Sequence, residues 1–124
     1  MMKVLTAILL ILVSTFSIKA MAASQMTCDV STQGNGSFSP PSADNCFGFD
    51  YSFRNQTNVT FEIKPNGQQI LNVIWIDGCS ASNGAMTCST NLRAYRFLTA
   101  RAILILPGNT FQEVSATASY ESGY

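Results

Sequence analysis

Histidine is absent from the 124 residues. Its absence removes the commonest general base, the usual partner of a serine or cysteine nucleophile, and one of the two main ligand types of structural zinc sites. No CxxC pair occurs, so Cys28, Cys46, Cys79 and Cys88 lack the close spacing that zinc favours, and neither a metal nor a cofactor is expected. Charge is scarce as well. Charged residues make up 11% of the chain, and Lys64 is the single lysine after position 22, which disfavours a nucleic-acid partner that must be met with many phosphate-neutralising cations. Among the carboxylates, Asp44, Asp50 and Asp77 sit in contexts that suit turns and solvated faces. A hydrolase would need two of Asp44, Asp50, Asp77 and Glu113 to converge in a cleft, and no local motif brings any two together. The expectation is a protein that is not an enzyme.

What is present begins with an export signal over residues 1–22: a basic start at Lys3, an apolar run over residues 4–13, and small residues at both recognition positions of Ala20-Met21-Ala22. The uncharged stretch between Lys3 and Lys19 is 15 residues, short of the roughly 20 that span a bilayer, so no retained anchor is expected. Gln25-Met26-Thr27 before Cys28 does not fit a lipid-modified cysteine. Cleavage after Ala22 leaves residues 23–124 as a single domain by length. All four cysteines follow the cleavage point, which implies an oxidising compartment, periplasmic or secreted, and the compact signal suggests a bacterial source. The mature net charge is −2, from Arg54, Lys64, Arg93, Arg96 and Arg101 against Asp29, Asp44, Asp50, Glu62, Asp77, Glu113 and Glu121. With so few charges, the polar surface falls to Ser, Thr, Asn and Gly, which supply 38 of these 102 residues.

Four cysteines allow three pairings. The turn-rich residues 80–87 favour Cys79 with Cys88, leaving Cys28 with Cys46, both as local staples worth about 2–4 kcal/mol each. Beyond Cys46 the hydrophobic period is two. Phe47, Phe49, Tyr51 and Phe53 alternate with Gly48, Asp50, Ser52 and Arg54, which predicts a strand with the aromatic side on the core. Val59, Phe61 and Ile63 alternate next, before Pro65-Asn66-Gly67, a turn signal that predicts a hairpin. Residues 70–76 read as a strand covered on both faces in mid-sheet. Residues 92–98 fit neither period, and a short helical turn capped by Ser89 or Asn91 is an option. Residues 102–106 form an apolar run closed by Pro107-Gly108-Asn109. The final segment alternates Val114, Ala116, Ala118 and Tyr120 against Ser115, Thr117, Ser119 and Glu121 and predicts a half-exposed closing strand. Residues 31–45 read as loop.

Short strands joined by turns predict an all-β fold, a small antiparallel β-sandwich of immunoglobulin-like architecture with two disulfides, or alternatively a small β-barrel. The label is architectural, because Trp75 follows Cys46 by 29 residues and no tyrosine stands two residues before Cys79 or Cys88. Function is not inherited from it.

The candidate contact residues are Asp77, Ser82, Asn83 and Met86 in the disulfide-closed loop, where pre-ordering lowers the entropy lost on binding, and Arg93 and Arg96, which with Arg101 concentrate cations within nine residues. Structural stapling and scattered solubilising charge are the plainer accounts. Trp75, with Tyr51, Tyr95, Tyr120 and Tyr124, would offer a sugar platform if exposed, but between Ile74 and Ile76 it reads as core. Sequons at Asn35, Asn55 and Asn58 are silent in a bacterial protein. The leading expectation is an exported, non-catalytic binding domain that contacts a protein or carbohydrate through loops. The alternative is a structural subunit of a surface fibre, self-associating by strand addition at the closing strand.

Overall fold

The computed structural model describes residues 23–34, 37–39 and 44–123. The expected export signal, the sequon at Asn35 and Tyr124 lie outside the described residues. Among the described residues seven strands follow one another: β1 (Gln25–Val30), β2 (Asn45–Asp50), β3 (Gln56–Lys64), β4 (Asn72–Asp77), β5 (Thr87–Arg93), β6 (Phe97–Leu106) and β7 (Thr110–Ser122). They form a three-stranded sheet in the order β1-β3-β5 and a four-stranded sheet in the order β2-β7-β6-β4, packed as the two layers of a β-sandwich. Every pairing is antiparallel except β2 with β7, which run parallel with Asn45 opposite Thr117 and Asp50 opposite Ser122.

The core lies between the layers, and each sheet supplies a different half of it. In β3, Thr57, Val59, Phe61 and Ile63 are buried on alternate positions, joined by Met26 and Val30 from β1 and Leu92 from β5. Opposite them the four-stranded sheet buries Ala100, Ala102, Ala116 and Ala118, with Ala100 facing Ala116 across β6 and β7, together with the larger Val73, Leu104, Val114 and Tyr120. Bulk set against alanine lets the layers approach closely while remaining filled.

Cys28 is bonded to Cys46 and Cys79 to Cys88, the pairing taken from the spacing. Their role differs from a local staple. Cys28 and Cys88 belong to the three-stranded sheet, whereas Cys46 lies in β2 and Cys79 just after β4 of the other, so both bridges tie one layer to the other. Cys28, Phe61 and Cys88 stand in one row across β1, β3 and β5, which places the two crosslinks on either side of the buried Phe61 ring.

Several local expectations are corrected. The phase of β2 is inverted: Cys46, Gly48 and Asp50 are buried, while Phe47 and Phe49 face outward. The cause is the close approach of β1, because a Cβ on Gly48 would stand 2.4 Å from Val30 Cγ1, and no phenyl ring fits there. Pro65-Asn66-Gly67 makes its turn, with Asn66 and Gly67 at positive φ, but the chain then crosses to the other sheet instead of closing a hairpin. The strand foreseen in mid-sheet is β4, which lies at the edge with only Val73 fully buried. Residues 92–98 contain no helix; they comprise the end of β5, a turn and the start of β6. The closing strand β7 is interior, flanked by β2 and β6, so it offers no free edge.

Candidate binding surface

At the end of the sandwich where β2 passes to β3 and β5 passes to β6, two turns lie side by side, joined by a hydrogen bond from Ala94 N to Asn55 O of 2.8 Å. Each carries an aromatic residue in the left-handed region, Phe53 at φ 59° and Tyr95 at φ 63°. A bulky residue pays for that conformation, and such outliers persist only where surrounding structure dictates them.

The surrounding structure is a buried ionic network that the strand phase had hidden. Asp50, fully buried at the end of β2, accepts hydrogen bonds on Oδ1 from Ser52 N (3.1 Å), Ser52 Oγ (2.7 Å) and Tyr120 OH (2.7 Å). Its Oδ2 accepts from Gln33 N at 3.1 Å and from Arg54 Nη2 at 3.0 Å. Arg54 also donates from Nε to Ser52 Oγ at 3.0 Å, with its guanidinium 5.8 Å from the Tyr120 ring centre. Burial alone would push the Asp50 carboxyl up, but the hydrogen bonds from Ser52, Tyr120 and Arg54 outweigh it and hold the group well below the ordinary carboxylate range. Arg54 is shifted in the complementary sense, raised chiefly by Asp50 against the opposing effect of burial. The network therefore clamps the residues that lead into Phe53. Tyr95 is fixed separately, its N donating to Tyr120 O at 2.7 Å and its OH to Ser122 O.

Around these fixed turns runs a chain of adjoining hollows. Phe53, Arg54, Asn55, Gln56 and Arg93 line the first, of about 870 Å³. Arg93 continues into a second of about 370 Å³ with Asn91, Arg96 and Phe97. Arg96 and Phe97 lead into a third of about 260 Å³, whose other walls include Phe47, Tyr95, Ser119 and Glu121. In that last hollow Phe47 and Phe97 flank Ser119 in a single row across β2, β7 and β6. Phe97 is 80% exposed and Phe53 66% exposed, so both rings are open to a partner. Among the described residues, neither Arg93 nor Arg96 is in an ion pair, unlike Arg54, Lys64 and Arg101.

The residues singled out in the sequence fall into two groups. Arg93 and Arg96 belong to this surface. Arg101 does not; it is bound to Glu113 and lies 4.0 Å from Asp77 on the outer face of the four-stranded sheet. Asp77, Ser82, Asn83 and Met86 lie along the β4 edge, in a loop that folds back instead of protruding: Gly84 N donates to Val73 O at 2.9 Å and Trp75 Nε1 to Ala85 O at 2.9 Å. Ser82 and Asn83 are exposed at its turn, while Met86 packs on the core and its carbonyl accepts from Ile63 N at 2.8 Å. Trp75 is half-buried against the same core. Of the carboxylates, Asp77 and Glu113 both reach Arg101 on an open face, and Asp50 is sealed from solvent.

Phe47, Phe53, Phe97 and the Asp50–Arg54 pair were not recognised as parts of a site. A signal for them exists: Cys46, which must turn inward to reach Cys28, shares its parity with Gly48 and Asp50 and so fixes Phe47 and Phe49 as outward. Comparison with protein-family models, with curated proteins and with solved structures yields no match to this chain.

Proposed function

We propose that this chain is an exported, non-catalytic binding domain of immunoglobulin-like architecture that works in a bacterial periplasm or outside the cell and contacts a protein or glycan. The contact surface is the arginine and aromatic end just described, a relocation from the loop of residues 77–88. One observation carries the reading: two aromatic residues on neighbouring turns, Phe53 beside the buried Asp50 network and Tyr95 tied to the Tyr120 and Ser122 carbonyls, are held in the left-handed region next to two arginines that form no ion pair among the described residues. A domain with no use for that end could relieve the strain with glycine or asparagine. The inter-sheet disulfides fit an oxidising compartment, and they give the rigid frame that lowers the ordering cost of binding. The fibre-subunit alternative loses its proposed edge, since β7 is interior.

The test is site-specific photo-crosslinking in the native host, with the photoreactive residue at Phe97 or, as a control, at Asn58 on the polar outer face of β3. Discrete adducts from position 97 and none from 58 are expected. Equal labelling from both positions, or none from 97, overturns the assignment of the surface.

A further inference from the structure

We infer that the ligand of this surface is an acidic polysaccharide, a chain of sugar rings bearing carboxylate groups. The inference rests on the binding reading above and names its ligand class. Three features select it. First, among the described residues Arg93 and Arg96 are exposed guanidinium groups without a carboxylate partner, on a mature chain of net charge −2, so their charge is available to an anion that the rest of the surface would repel. A planar guanidinium grips a carboxylate through two parallel hydrogen bonds, and arginine keeps this geometry where lysine offers only a point charge.

Second, aromatic side chains line every hollow: one each in the first and second, and four in the third, where Tyr95 and Tyr120 join Phe47 and Phe97. Phe53 serves the first hollow, Phe97 the second, and Phe47 with Phe97 the third. The apolar C–H face of a pyranose packs on the electron-rich face of such a ring, while its hydroxyls need donors and acceptors alongside, which Asn55, Gln56, Asn91, Ser119 and Glu121 supply.

Third, the hollows follow one another around the end of the sandwich. The surface starts at Arg93 on the three-stranded sheet, passes through the β5–β6 turn at Arg96, and arrives at Phe97 and Phe47 on the outer face of the four-stranded sheet. A flexible linear polymer can follow such a curved track, whereas a flat bilayer touches only its crest. On the β2 edge, Phe49 is already paired with Phe38 through two backbone hydrogen bonds of 2.8 Å, so a strand-adding peptide would have to use the β5 edge, away from Phe47 and the third hollow.

The experiment measures binding of the oxidised mature protein to polygalacturonate, to neutral dextran, and to vesicles of phosphatidylglycerol and phosphatidylcholine. Polygalacturonate is expected to bind, dextran is not, and raising the salt weakens the interaction as exposed charges are screened. Arg93→Gln and Arg96→Gln each weaken binding by about tenfold, the loss of one charge-assisted contact. Phe97→Ser weakens it while leaving the salt dependence unchanged, and Lys64→Gln, which removes one cation elsewhere, has no effect. Thermal midpoints of the variants confirm that each is folded. Vesicles that bind through Arg93, Arg96 and Phe97 while polygalacturonate does not would overturn the ligand class and keep the surface. Failure of polygalacturonate to bind at all overturns the ligand class, with crosslinking at position 97 still deciding the surface. Polygalacturonate binding that survives all three substitutions overturns both.

Discussion

A methyl group on Gly48 would stand 2.4 Å from Val30 Cγ1 and 3.1 Å from Thr32 Cγ2, well inside any tolerable contact. Gly48→Ala should therefore cost about 1–3 kcal/mol by overpacking, measured by urea denaturation. Trimming the neighbour with Val30→Ala should return part of that cost, so the double variant is less destabilised than the two singles added together. Additive effects would mean that β1 and β2 are not in this contact. Asp50 makes a second prediction at this scale. Its carboxyl titrates well below the ordinary range in the folded protein and at the ordinary carboxylate value in the unfolded chain, so its contribution to stability is complete above the ordinary value and is lost as pH falls toward the folded-state value. Asp50→Asn leaves Arg54 without its buried counter-charge and should cost about 3–5 kcal/mol at pH 7. The variant should also lose less stability than the parent between pH 7 and pH 3. Ser52→Ala, a milder cut in the same network, should lower stability in the same direction while the domain stays folded. A parent whose denaturation midpoint does not fall on acidification removes Asp50 from this role.

The elements were partly legible in the sequence, and the division has a physical cause. β3 and β7 were read correctly because their alternation is set by Val59, Phe61 and Ile63 in one and Val114, Ala116, Ala118 and Tyr120 in the other, all on the core face. β2 was inverted because its larger side chains face out, an arrangement that hydrophobicity alone cannot signal when the inward space is only deep enough for glycine. The disulfides were paired correctly from spacing, yet their span across the two sheets depends on topology, which spacing does not encode. In the entropic account a closed loop of 18 residues restricts the unfolded chain more than one of 9, so removing Cys28–Cys46 should cost about 3 kcal/mol and Cys79–Cys88 somewhat less. Paired alanine variants compared by thermal denaturation check both values. The shorter bridge also has a local readout. It anchors the loop whose Ala85 carbonyl accepts from Trp75 Nε1, and Trp75 is the only tryptophan in the chain. Cys79→Ala/Cys88→Ala should thus shift the folded-state fluorescence to longer wavelength, as the indole meets water, while Cys28→Ala/Cys46→Ala should not.

Seen whole, the molecule has two unlike outer faces. The three-stranded sheet presents Asn58, Thr60, Glu62, Ser89 and Asn91, with Thr60 and Ser89 hydrogen-bonded to each other at 2.9 Å. The four-stranded sheet presents Phe47, Phe49, Phe97, Ile103, Ile105 and Phe111, interrupted by Thr99, Thr117 and the Arg101–Glu113 pair. Aromatic content alone did not separate these roles in the sequence, since Phe61 stands in a clear alternation while Phe97 stands in residues 92–98, which fit neither period, and neither pattern says which side is covered. What separates them is the partner layer: Phe61 is fully buried in the core cluster that also holds the alanines of β6 and β7, whereas among the described residues Phe97 stays 80% exposed. The two residues should therefore respond in opposite ways. Phe61→Ala leaves a cavity between the disulfides and should cost about 3–5 kcal/mol. Phe97→Ser removes a ring that contributes little to folding and should change stability by less than about 0.5 kcal/mol while lowering the binding of a hydrophobic dye. If Phe97→Ser instead destabilises the fold as much as Phe61→Ala, the ring is part of a core, and the face around it is not a surface kept for a ligand.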